Sequence, residues 1–255
     1  MRTILEAEPE VRQWPVMNTY ATNLAIALLG ISCRFLSAQP ERPTYEVVKT
    51  PTPVQVDGRL DDAVWQQASS VSDFRNNVDG SASPYDTEAK ILYDDQFIYF
   101  AFRCVDDNIW STFAERDQHL WTEEVVEVFI QADAGHPSYI ELEVNPLGTM
   151  LDIFLIDVRK PIPYSSWNSD GLKWAVQMEG SVDGQSGDTE WTCEMALPLK
   201  DMVTAPHIPP QPGDRWRLNL YRVEKRPAHA GLAWSPTFKP DFHVPGMFGE
   251  IVFAD

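Results

Sequence analysis

The sequence predicts an all-β fold, a two-sheet antiparallel β-sandwich over residues 44–255. Three observations carry that expectation. Short runs alternate apolar and polar residues with period two, as half-buried strands do. Turn signals such as Asp57-Gly58, Asp94-Asp95 and Asp183-Gly184 separate these runs. Residues 96–105 (QFIYFAFRCV) are apolar on nearly both parities, the pattern of a central strand. The chain has 255 residues, 44% of them apolar, with nine Trp, eight Tyr and twelve Phe. That is enough for one large β domain with its own core.

Residues 1–43 read as an export leader and linker outside the fold. Residues 24–31 (LAIALLGI) form an apolar run too short to span a membrane, which takes about 20 residues. It suits the hydrophobic region of a signal peptide, with Ala38 as a cleavage position and Met17 as an alternative start. Gly30-Ile31-Ser32-Cys33 resembles a lipoprotein cleavage box, which would make Cys33 a lipid-anchor position. The expected location is therefore extracytoplasmic, periplasmic or secreted, with no membrane span.

The elements follow in order. Residues 54–65 (VQVDGRLDDAVW) give a short strand, a turn at Asp57-Gly58 and a helical turn ending in a core Trp65. Residues 88–93 are a strand, Asp94-Asp95 a turn, and residues 96–105 the central strand. Residues 121–131 and, after a short turn, 138–148 then give two strand-like runs that carry carboxylates on one parity. Val126, Val128 and Ile130 share one face of the first run, with Glu127 on the other. Ile140, Leu142 and Val144 share one face of the second, with Glu141, Glu143 and Asn145 on the other. Residues 149–157 are a further strand. Residues 172–179 and 189–197 flank Asp183-Gly184 as a hairpin would. Residues 214–223 alternate well, and residues 249–253 close the domain. Cys104 and Cys193 fall on apolar parities and read as buried thiols, although a disulfide after export stays open.

The net charge of −18 argues against a nucleic-acid partner, because phosphate binding needs clustered Lys and Arg. No Gly-x-Ser-x-Gly, His-Glu-x-x-His or phosphate-binding glycine loop is present, so the sequence carries no recognisable catalytic motif. Glycan processing by paired carboxylates stays open as an alternative. What the chain does offer is an acidic sheet face with an aromatic, Trp121, just before it. Glu127, Glu141, Glu143 and Asn145 supply acceptors for sugar hydroxyls, and Asn219 and Tyr221 on a late strand are candidates to join them. Arg222 lies on the opposite parity and reads as a buried charge paired with one of the glutamates.

Six segments in order resemble the family 9 carbohydrate-binding modules: residues 56–65, 91–103, 121–129, 143–148, 213–222 and 242–249. The resemblance covers roughly residues 50–255 and implies a non-catalytic β-sandwich that binds a polysaccharide or oligosaccharide. In that family two aromatic side chains hold a sugar ring, and they map to Trp121 and Phe242. Phe242 stands where family members can carry Trp. The family glutamate maps to Glu127, and Glu143 stands where the family has an arginine. The implied carbohydrate-binding set is thus Trp121, Phe242, Glu127, Glu143, Asn145, Asn219 and Tyr221. Family members also bind structural calcium, for which Asp61-Asp62, Asp94-Asp95 and Asp106-Asp107-Asn108 are candidates, each reading first as a turn. Relatives of the sandwich carry haem through Met and His. Met150, Met178, Met247 and His243 are available here, although no pair is marked.

Overall fold

The computed structural model describes residues 42–158, 160 and 166–255. The expected leader and Cys33 lie outside the described residues. Twelve strands are present among those described. They are β1 (Thr44–Lys49), β2 (Arg75–Asn76), β3 (Thr87–Tyr93), β4 (Phe97–Val105), β5 (Val125–Gln131) and β6 (Tyr139–Val144). They continue with β7 (Met150–Leu155), β8 (Lys173–Glu179), β9 (Glu190–Pro198), β10 (Arg215–Glu224), β11 (Ala230–Ala233) and β12 (Gly249–Phe253).

The strands form one curled sheet in the order β7-β6-β5-β10-β12-β1-β3-β4-β9-β8, with β11 and β2 added beside β10. The all-β expectation holds, but the purely antiparallel arrangement does not. β1 runs parallel to both of its neighbours, pairing Thr44 to Val47 with β12 and Val48 and Lys49 with β3. It joins two antiparallel halves into one mixed sheet. The sequence reading had no strand there and placed one at residues 54–56 instead. That segment is irregular: Gln55 N donates to Asp62 Oδ2 at 2.7 Å rather than to a neighbouring strand, and the turn after it is tied to Glu194. The N–H groups of Asp57 and Gly58 both donate to Glu194 Oε2 at 2.9 Å, and Trp65 Nε1 donates to Glu194 Oε1 at 2.9 Å. Gly58 has φ +85°, and a Cβ there would come within 2.7 Å of the Val176 carbonyl carbon. Only glycine meets both demands.

The two halves close on a common core. Val126, Val128 and Ile130 from β5 and Ile140, Leu142 and Val144 from β6 pack with Ile98, Phe100 and Phe102 of β4 and Trp191 and Met195 of β9. Complete burial of such side chains contributes about 1.5–3 kcal/mol each. β4 is central as expected, between β3 and β9, and is buried on both faces. Its second face, with Tyr99 and Ala101, packs on Trp65 and Val54. The β8–β9 hairpin forms as expected. Cys104 and Cys193 are free, buried thiols on adjacent strands, and burial pushes the Cys104 pKa up to about 12.

The acidic parity of β5 and β6 does not face water. Phe129, Tyr139, Leu151, Ile153, Leu155, Tyr221 and Phe248 form a second apolar cluster on that face. Loop residues Phe113, Trp121 and Phe242 pack against it. Alternation alone cannot distinguish a solvated polar face from one roofed by loops.

Candidate functional site

The outer face of β5, β6, β7 and β10 forms the floor of a cavity of about 780 Å³. Glu127 and Phe129 come from β5, Glu141 from β6, Ile153 and Leu155 from β7, and Val223 from β10. The walls come from four other segments: Trp121, Asn76 to Val78, Lys225 to Gly231 and Pro240 to His243. Trp121, Phe242 and Glu127, expected from the sequence, therefore line one cavity. Glu141, grouped with them by parity, lines it too.

Trp121 sits in a short 3₁₀ turn, Leu120–Thr122, anchored by the buried Leu120. Its indole stacks on His119 with ring centres 4.5 Å apart. The turn is held from behind. Glu123 accepts hydrogen bonds from Ser111 Oγ at 3.0 Å, Thr112 N at 2.7 Å and the Thr112 hydroxyl. Burial alone would raise the Glu123 pKa, but these donors hold it below its ordinary value. Asn145 belongs to the same scaffold. Its Nδ2 donates to Ser111 Oγ and Phe113 O, both at 2.8 Å, and its Oδ1 accepts from Thr149 N at 2.9 Å. Asn145 is thus fully engaged and does not line the cavity, contrary to the expectation from parity.

Phe242 is positioned in a comparable way. Its ring lies flat on Tyr221, 4.1 Å between centres at 6°, and Tyr221 Oη donates to the Phe242 carbonyl at 2.9 Å. Tyr221 is therefore the bed under Phe242 rather than a lining residue. Gly231 lies below the same ring. A Cβ there would stand 3.2 Å from Phe242. Asn219 also proves to be scaffold. It donates through Nδ2 to Ser235 O at 2.7 Å and accepts through Oδ1 from Ser235 N at 2.9 Å. Asn77, which the sequence reading passed over, pins the loop further along through Thr237 and Lys239.

The carboxylates are the most unusual feature. Glu127 and Glu143 are directly opposed across β5 and β6, where like charges repel. With Glu141 they place carboxylate oxygens within 4.8 Å of one another, and all three side chains are buried. Glu127 Oε1, Glu141 Oε2 and both Glu143 oxygens make no hydrogen bond. Burial raises all three pKa values. Glu141 adds to the rise for Glu127, and Glu127 and Glu141 add to it for Glu143. Glu141 is pushed up to about 7. Lys225, facing Glu127, offsets part of its rise, and the Trp121 backbone N–H favours ionised Glu143 without closing a hydrogen bond. Glu143 itself lies behind the lining residues. Lys225, His229, Asn76, Asn77 and Asp241 were not expected. Asn76 ends the two-residue strand β2 and the others lie on connections, too short or too irregular for a sequence pattern to register.

Arg222 is buried as expected, but its partners are different. It pairs with Glu224 at 2.6 Å and Asp106 at 3.4 Å and donates to the Asp86 and Val105 carbonyls. None of Glu127, Glu141 or Glu143 is among them. The haem candidates also fall apart. Met150 is a core residue, and Met178 packs on that core from β8. His243 lines the cavity, with Nδ1 2.7 Å from Tyr139 Oη.

A concave, mostly apolar site with a few fixed polar groups, set on a β scaffold, is a binding site for a small ligand or one end of a larger one. The chain belongs to Carbohydrate-binding family 9, which matches residues 56–253. It is similar in structure to a candidate carbohydrate-binding protein from Bacteroides uniformis, with a TM-score of 0.71 and 18% identity, covering 84% of this chain and 100% of that one. It is also similar to a family 9 carbohydrate-binding module from Caldicellulosiruptor kristjanssonii, solved with cellotriose (TM-score 0.58, 14% identity, 82% and 93% covered) and with glucose (TM-score 0.57, 14% identity, 83% and 95% covered). At these identities the structural likeness speaks for the fold. No curated protein matches the chain.

Proposed function

We propose that this chain is a non-catalytic carbohydrate-binding module that seats a sugar in the cavity. Trp121 and Phe242 offer flat apolar surfaces to the C–H faces of the ring, and Glu127 accepts hydroxyl protons. The observation that carries this reading is that two aromatic rings and buried carboxylates line one cavity of sugar size. The family is a non-catalytic binding family, and the Caldicellulosiruptor modules bound to cellotriose and glucose make glucans the first ligands to try. Glu143 lies behind Glu127, Tyr221 beds Phe242, and Asn145 and Asn219 fix the loop segments beside the two aromatics.

Export of the domain, with cleavage after the apolar run or lipidation at Cys33, suits an acidic sugar-binding module. No helix among the described residues is long and apolar enough to cross a membrane. Structural calcium fits the candidate loops poorly. Asp94 is spent on Gln96 N, Phe97 N and Tyr99 Oη, and Asp62 accepts from Gln55 N. Asp106 belongs to a cluster whose cation is Arg222.

The test is a glycan array followed by calorimetry on the purified domain with cellotriose and glucose. Saturable binding that Trp121→Ala weakens supports the assignment. No binding to any glycan on the array overturns it.

A further inference from the structure

We propose that the cavity is built for a cationic sugar, a hexosamine with a free amine whose ammonium meets Glu127 and Glu141 on the cavity floor, with Glu143 close behind them. The proposal rests on the carbohydrate-binding reading and names the class of sugar.

The fold buries two clusters of three carboxylates, and the contrast between them carries the argument. In the first, Arg222 is 1% exposed, bonded to Glu224 at 2.6 Å and 3.4 Å from Asp106, although Asp106 Oδ2 and Glu124 Oε1 there also accept no hydrogen bond. That cluster supplies its own cation. In the second, Glu127, Glu141 and Glu143 are 1%, 4% and 0% exposed, and four of their oxygens accept no hydrogen bond. Lys225, at the cavity wall, offsets part of the rise for Glu127, and His243 Nδ1 stands 4.0 Å from Glu141 with Tyr139 Oη 2.7 Å away. Buried carboxylates without partners are costly to keep. The first cluster has no residue among those lining the cavity, whereas Glu127 and Glu141 of the second form part of its floor. Glu141 and Glu143 can share a proton between them, but the cluster has no buried cation of its own, and the cavity side is where one can be supplied.

The shape of the vacant bonding favours an ammonium. An –NH₃⁺ group has three donors and no acceptor, which suits three converging carboxylates. A calcium ion takes six to eight oxygens, and the remaining floor, Phe129, Ile153 and Leu155, is hydrocarbon. The aromatic rings of Trp121 and Phe242 also favour a cation near their faces. In the free protein, burial favours protons on these carboxyl groups, with Glu141 pushed up to about 7. An arriving ammonium displaces them, so binding releases protons to the buffer.

The test is calorimetry of the whole domain at neutral pH with the β-1,4 trimer of glucosamine, its fully N-acetylated counterpart, cellotriose, and calcium chloride alone. The amine trimer is expected to bind about tenfold tighter than the acetylated one, the factor expected when charge-assisted hydrogen bonds replace neutral ones. Its apparent heat should also vary with the ionisation enthalpy of the buffer. Glu141→Gln and, separately, Glu143→Gln should bring the two affinities together. Both variants replace a buried carboxyl group with a neutral amide of similar shape and should melt no lower than the parent. Equal binding of cellotriose and the amine trimer overturns the cationic-sugar proposal and leaves the carbohydrate reading intact. Saturable calcium binding abolished by Glu141→Gln overturns it in favour of a metal. If no sugar binds, both readings fall.

Discussion

Trp121 and Phe242 hold their rings differently, and mutation should report that difference. Trp121 rests on His119 and only partly covers the second apolar cluster, while the buried Leu120 anchors its turn, so Trp121→Ala removes a surface and leaves the fully buried side chains in place. We expect sugar affinity to fall by about 1–2 kcal/mol, measured by titration, with melting unchanged within a degree or two. Phe242→Ala also uncovers Tyr221, so it should lower both affinity and stability. Arg222 is the opposite case, far from the ligand and dominant for folding. Truncating it to Ala leaves Glu224 and Asp106 buried without their cation. Urea denaturation should show a loss of about 3–5 kcal/mol. A drop below 1 kcal/mol would mean that the carboxyl groups of that cluster are already protonated in the native state. Asp106 is pushed up to about 6 and Glu124 to about 10, in both cases mainly by burial.

At the scale of the element, the β5–β6 pair makes stability depend on pH in an unusual direction. A free glutamate titrates near 4.5, and burial raises Glu141 to about 7 and lifts Glu127 and Glu143 well above 4.5. Between those values the native state binds more protons than the unfolded chain. Stability from these groups is therefore fully present at and below pH 4.5 and is lost as pH rises through 7. The melting temperature should fall between pH 5 and 8, and Glu127→Gln should flatten that fall in a thermal scan. A parent whose melting is level across this window would show that the carboxylates have found partners. The same strands show where sequence reading stopped. Period-two alternation located β4, β5, β6, β9 and β10 because each has one or both faces in the core. It also put Glu127, Glu141 and Glu143 on one side. It could not show that loops from residues 108–124 and 235–248 roof that side, because irregular backbone leaves no period. Nor could it separate Asn145 and Asn219 from the ligand face. Their amides are used up by segments distant in sequence.

At the scale of the whole molecule, the described sheet is complete from Thr44 onward. Pro43 O accepts from Glu250 N at 2.9 Å, and Arg42 reaches Gly246 O at 2.7 Å. Deleting residues 1–40 should therefore leave a domain that melts cooperatively by calorimetry. A broad, non-cooperative transition would assign that segment to the core. The strand missed at the start of the domain, β1, is a short six-residue run between prolines, and it is the piece that joins the two halves. Its direction has a mechanical consequence. β1 and β12 are parallel neighbours, with Thr44 beside Glu250 and Val47 beside Phe253. Tension applied through residue 44 and residue 254 pulls the two strands past each other, so their hydrogen bonds are loaded in shear and must fail together rather than one at a time. Single-molecule stretching through those ends should give one high rupture force, whereas pulling across the β8–β9 hairpin should peel it open at low force. A module that clings to a polysaccharide while its own ends are tugged would thus let go of the sugar before its fold gives way.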